Sequence, residues 1–126
     1  MNCTPLIVLA IIQIVHDKGT IDACERVPGK LLLILHHLFS IYILFGGYFF
    51  NPKCHLMVVS FSFLVHLLNG KICPITVVNN QMCGFGNDQQ LQTLLNVVVP
   101  DKQRVVCLYY LLLLLAFVFD IKKVFF

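Results

Sequence analysis

The stretch LLLILHHLFSIYILFGGYFF, residues 31–50, decides the fold. It runs for about 20 residues without a formal charge, the length a helix needs to cross roughly 30 Å of hydrocarbon. Working outward, the NPK triplet at 51–53 predicts a tight turn, because Pro52 disfavours helix in the residue before it. A second span is expected over residues 54–72, with Lys71 carrying its amine to the interface and Pro74 limiting its extension. A third is expected over 105–121, around the lipophilic run YYLLLLLAFVF.

Upstream lies a shorter apolar segment, residues 4–16. Thr4 suits an N-cap and Pro5 the first helical position. Its apolar part, Pro5 to Val15, would rise only about 16 Å as a helix. Three fates stay open for it: a membrane helix, an interfacial helix, or a cleaved signal without a basic leader. Between the second and third spans runs a long polar loop, residues 73–104, with a turn cluster at Gly84-Phe85-Gly86-Asn87-Asp88. Leu91, Leu94, Leu95 and Val98 then recur at helical spacing, as in an amphipathic helix lying in the interface or a lid on the bundle end.

Composition supports this reading. Of 126 residues, 59% are hydrophobic and 12% charged, and mean hydropathy is +0.87. Soluble domains carry about twice that share of charge. A disordered chain is excluded, and an ordinary cytosolic enzyme disfavoured. A net charge of +3, from scattered Lys and Arg without a basic stripe, excludes a nucleic-acid reader. The expected architecture is an all-α integral membrane bundle of four helices, three firm spans plus the short N-terminal one, in a single domain covering residues 1–126. Its surroundings are the lipid bilayer, and its helices offer faces for homo- or hetero-oligomers.

Lys18, Arg26 and Lys30 lie in the loop 17–30, and Lys71, Lys102 and Arg104 flank or lie in the long loop. Lys53, Lys122 and Lys123 lie on the other side. That asymmetry predicts loops 17–30 and 73–104 in the cytoplasm. Cys24, Cys73, Cys83 and Cys107 would then meet a reducing environment and remain free thiols. Cys3 and Cys54, on the far side, could pair if the first segment spans. No Cys-x-x-Cys pair appears, so neither a thiol–disulfide motif nor structural zinc is indicated.

The candidate site is a polar stripe within the spans. His55, Ser62, His66 and Asn69, with Val59 between them, share one face of the second span. His36 and Ser40 share a face of the first with Ile43 and Gly47, and His37 lies to one side. Such groups are costly in hydrocarbon unless they meet protein or water, and Ser40, Gly46 and Gly47 permit close helix approach. The two helices form an antiparallel hairpin that brings His36 and His66 to similar depth, above Cys73-Pro74. Asp120 reads as an interfacial anchor ahead of Lys122 and Lys123. No catalytic constellation, phosphate loop or metal-ligand motif is visible.

The hairpin resembles a family of small multi-pass bacterial membrane proteins classed as a domain of unknown function. Its members carry a His-containing helix ending in Gly-Gly and a second helix running into Cys-Pro-Leu-Thr-x-x-Glu-Asn. The matching positions are His36 or His37, Gly46, Gly47, Cys73, Pro74, Ile75, Thr76, Asn79 and Asn80. The family's Glu falls on Asn79, which removes a carboxylate. The resemblance implies three to four membrane helices and supplies no activity. The expected role is a structural or accessory protein that associates through its polar hairpin, with no cofactor. The alternative is a redox or ligand-binding module using His36 or His37 and His66, beside Cys73: either the histidines ligate haem or metal, or with Asn79 they form a ligand or proton-transfer pocket.

Overall fold

A computed structural model describes residues 3–70, 72–86 and 101–126. The expected amphipathic helix around 91–98 lies outside the described residues. Among the described residues six helices appear: α1 (Thr4–His16), α2 (Lys18–Ala23), α3 (Val27–Phe49), α4 (Pro52–Leu68), α5 (Pro74–Cys83) and α6 (Lys102–Phe125). Among the described residues there is no strand.

The helix starts follow local chemistry. Pro5, Pro28, Pro52 and Pro74 occupy first-turn positions of their helices, where a missing N–H costs nothing. Asn51 caps α4 by accepting from the Lys53 backbone N–H at 2.9 Å. Asp101 does the same for α6 through the Gln103 N–H at 3.0 Å. The cap of α1 is Cys3 rather than Thr4. Helix α5 ends on Gly84, whose φ of 71° is the left-handed conformation glycine adopts most cheaply.

The expectation of three firm spans and a fourth short one is corrected to two. Among the described residues only α3 and α6 are long and apolar enough to cross a membrane, while α1 and α4 are shorter apolar helices. At 17 residues α4 rises about 25 Å, because Asn69 and left-handed Gly70 stop it before residue 72. Helix α3 is the hub. It packs against α1 through Leu6, Ala10 and Ile41, and against α4 and α6 through Ile43, Val59 and Leu113. Its N-terminal turns lie against α5, with Cys83 beside Gly29 and Leu33.

The distribution of polarity is inverted relative to a soluble domain. Gln13, Asp17, His37, His55, Asn79 and Asp120 are among the most deeply buried residues. Ile7, Ile11, Val15, Phe61, Leu64, Leu111, Leu114 and Val118 stand exposed. Apolar exposure on this scale marks a surface that another apolar phase must cover.

Candidate functional site

Three clusters account for the buried histidines. The first joins α1 to α3. Gln13 Nε2 donates to His37 Nδ1 at 2.7 Å, so His37 carries its proton on Nε2 and donates it to Asp17 Oδ2 at 2.8 Å. Gln13 and Asp17 are one helical turn apart, which lets both reach one imidazole. His37 and Asp17 are each 1% exposed, and Asp17 Oδ1 has no partner.

The second cluster closes the opposite end. His55 Nε2–H donates to the carbonyls of Tyr42 and Ile43 at 2.9 and 3.1 Å. Carbonyls only accept, so Nε2 must hold a proton, and Nδ1 shares a further one with Asp120 Oδ2 at 2.5 Å. Asp120 is fully buried, which corrects its reading as an interfacial anchor. Gly46 and Gly47 make the junction possible: a Cβ on Gly47 would collide with Asp120 Oδ1, and one on Gly46 would sit 2.7 Å from His55 Cδ2. Lys123 bonds the Gly47 carbonyl at 3.2 Å and lies over the Phe119 ring, so it anchors this end instead.

The third cluster is centred on Cys73. This residue is the N-cap of α5, and its thiol interacts with the side chains of both His36 and His66. His66 Nδ1–H donates to the Ser62 carbonyl at 2.7 Å, leaving Nε2 as the ring atom free to meet the sulfur. Burial pushes the Cys73 thiol up, but His36, His66 and the Thr76 backbone outweigh it. The thiol is thereby brought from 9.0 to about 5. A thiol in that position is a thiolate at neutral pH. The Tyr109 ring lies 6.3 Å from His66. Two buried polar groups on the α3 and α5 helices, His36 Nδ1 and the side-chain amide of Asn79, have no partner among the described residues.

The polar residues of the hairpin thus separate. His36 and His66 meet through Cys73, while His37 belongs to the Asp17 cluster. Ser62 is buried but serves His66 through its backbone carbonyl. Ser40 donates to the His36 carbonyl at 2.9 Å. Asn69 is exposed, and its amide donates to the Ile72 carbonyl at 2.9 Å. Thr76, Asn79 and Asn80 form the buried face of α5. The partners missing from the sequence reading are Gln13, Asp17 and Asp120.

The expectation of four free thiols at this end is also corrected. Cys24 and Cys83 form a disulfide, with Cα atoms 4.7 Å apart, packed on Gly29 of α3. A side chain at position 29 would occupy the sulfur positions, since a Cβ there lies 2.6 and 2.7 Å from them. Cys3, Cys54, Cys73 and Cys107 are free, so Cys3 and Cys54 do not pair. Among the described residues no group of three metal-ligating side chains is arranged to hold a metal ion. In comparisons with known proteins, no family model, curated protein or solved structure matches the chain.

Proposed function

We propose that this protein is a multi-pass membrane bundle whose working site is the Cys73 thiolate, held by His36 and His66 at the edge of the bilayer. The observation that carries the reading is the convergence of two buried imidazoles from the hairpin on one cysteine at the start of α5. The chemistry that suits it is thiol–disulfide exchange. The thiolate attacks a sulfur of a partner disulfide, forms a mixed disulfide, and releases the partner's other sulfur as a thiolate. A low thiol pKa also makes Cys73 a good leaving group, so the mixed disulfide is readily resolved by a second thiol.

The Cys24–Cys83 disulfide supports an orientation opposite to that of the positive-charge count. Disulfides persist in oxidising compartments, and the Lys and Arg margin is only six to three. The end bearing α2, α5 and Cys73 therefore faces the oxidising side, where partner disulfides occur. Haem ligation by His36 and His66 has less support, because both imidazoles already engage Cys73. Association with a second copy or another membrane protein falls to the exposed apolar faces, since the hairpin's histidines and Ser62 are buried within the chain. The likeness to the Cys-Pro-Leu-Thr-x-x-Glu-Asn family belongs to the same proposal.

The test is incubation of the protein, purified in mild detergent, with oxidised glutathione at pH 6. The expected product is one glutathione adduct, located on Cys73, with release of one reduced glutathione and none in Cys73→Ser. Equal modification of Cys54 or Cys107, or no adduct at all, overturns the reading.

A further inference from the structure

Helix α5 packs on α3 through a polar face, with Thr76, Asn79 and Asn80 as its buried residues. None of its apolar side chains is fully buried, and Val78 and Met82 stand exposed. Both polar atoms of the Asn79 amide are shut away from solvent without a partner among the described residues. They regain hydrogen bonds when the helix lifts, so they weigh against the docked state. A helix of 10 residues also has little stability of its own in water. Noncovalent packing alone therefore holds α5 weakly.

Two attachments fix its ends. Cys83, its last residue, is bridged to Cys24, the C-cap of α2. The sulfurs fill the space that Gly29 leaves open, with Leu33 packed beside them. At the other end Cys73 meets His36 of α3 and His66 of α4, and Tyr109 of α6 lies near enough to feel its charge.

We infer that the Cys24–Cys83 bridge is a redox latch: closed, it keeps α5 docked and Cys73 between its histidines, and reduction by a dithiol releases the helix and quiets the thiol. This rests on the reading of Cys73 as the working thiol and supplies its regulation. On an oxidising side the latch is closed by default. Cys24 is fully buried and Cys83 only partly so, which directs the reductant to Cys83. Its thiolate attacks Cys83 Sγ, the bridge breaks, and Cys24 leaves as a thiolate that takes up a proton. The reductant's second thiol then displaces Cys83 from the mixed disulfide, so the dithiol ends as a cyclic disulfide and the protein as two thiols. With α5 lifted, Cys73 loses His36 and returns toward an ordinary thiol, protonated at pH 6.

The test uses the full chain in phosphatidylcholine nanodiscs, carrying Cys3→Ser, Cys54→Ser and Cys107→Ser so that Cys73 is the sole free thiol. Hydrogen–deuterium exchange and the pH dependence of iodoacetamide alkylation are compared with the bridge present and after adding Cys24→Ser and Cys83→Ser. Without the bridge, exchange over residues 74–83 should quicken roughly thirtyfold or more, the lower end of a bridge's worth, while α3 and α6 keep their protection. The alkylation rate of Cys73, which falls only about twofold from pH 7.5 to 5 when bridged, should then fall at least about tenfold. Dithiothreitol added to the bridged protein should quicken α5 exchange in a chain that folded with its bridge, and reoxidation should restore protection. Unchanged α5 exchange or an unchanged pH profile without the bridge overturns the latch. So does exchange that quickens equally in α3 and α6, because the bridge then staples the whole bundle. A profile already steep in the bridged protein defeats the thiolate reading itself, and the control of Cys73 with it.

Discussion

Alkylation of Cys73 across pH separates a thiolate held by two histidines from an ordinary buried cysteine. The informative protein carries C3S, C54S and C107S, so that Cys73 is the sole free thiol and the Cys24–Cys83 bridge is intact. With a pKa of about 5, Cys73 is about half ionised at pH 5 and almost wholly so at pH 7.5. A reference thiol of pKa about 8.5 falls from about 9% thiolate to about 0.03% over the same range. The iodoacetamide rate of Cys73 should therefore fall only about twofold between pH 7.5 and 5, against roughly 300-fold for the reference. Absolute rates are less decisive. Thiolate nucleophilicity falls with pKa, with a Brønsted slope of about 0.4–0.5, so Cys73 should be slower than the reference at pH 7.5 and roughly thirty- to sixtyfold faster at pH 5. Partial burial scales both Cys73 rates equally and leaves the profile's shape alone. His36→Ala and His66→Ala should each steepen the profile toward that of the reference, because burial then acts against fewer compensating partners. A steep profile in the parent protein, or one indifferent to both substitutions, refutes the argument.

Other consequences can be measured by thermal or denaturant unfolding in detergent. Removing the bridge with Cys24→Ser frees a loop of 59 residues' separation, and should cost about 4 kcal/mol; an unchanged transition would show that the bridge does not restrain the unfolded chain. Gly47→Ala should cost about 1–3 kcal/mol through overpacking against Asp120 and His55. Asp120→Ala should cost more, about 3–5 kcal/mol, by stranding His55; the two losses should combine less than additively, because they act on one contact. Because the folded thiol pKa of Cys73 lies below its unfolded value, its contribution to stability is complete above about pH 8.5 and is lost as pH falls toward 5. The stability difference between wild type and Cys73→Ser should follow that course, and a difference constant from pH 8.5 to 5 would contradict it.

Much of the fold was legible because helix boundaries here are set locally. Asn51-Pro52 fixes the hairpin turn and Cys73-Pro74 the start of α5, and hydropathy marks α3 and α6. The period of the second helix also placed His55, Val59, Ser62 and His66 on one face, and the structure buries all four. What was not legible is pairing across distance. Asp17 and His37 are 20 residues apart, and His55 and Asp120 are 65 apart. No periodicity within one helix announces such partners. A signal did exist for the first pair: Gln13 is the one polar residue between Pro5 and Val15 of an apolar helix, and it shares its face with Asp17. The disulfide was missed for a different reason. Charge counting assigned a compartment first, and the compartment then dictated the thiol state, whereas geometry reverses that order.

The three histidine clusters differ in what they leave over. In the first, both nitrogens of His37 are engaged by Gln13 and Asp17. In the second, both nitrogens of His55 are engaged by Asp120 and two carbonyls, and glycines press the helices onto the pair. Each cluster ties α3 to a neighbouring helix, and opening either would leave a buried carboxylate without its partner. Their work is assembly, and it keeps these polar groups from any external partner. The third cluster is built differently. His66 is fixed by one nitrogen only, His36 keeps Nδ1 unpartnered, Asn79 keeps its amide unpartnered, and the group they surround is a nucleophile rather than a carboxylate. Asp17 Oδ1 and Asp120 Oδ1 also lack a partner among the described residues, so what sets the third cluster apart is the nucleophile at its centre and imidazoles not committed to a carboxylate. That contrast supports Cys73, rather than either carboxylate cluster, as the proposed site of chemistry.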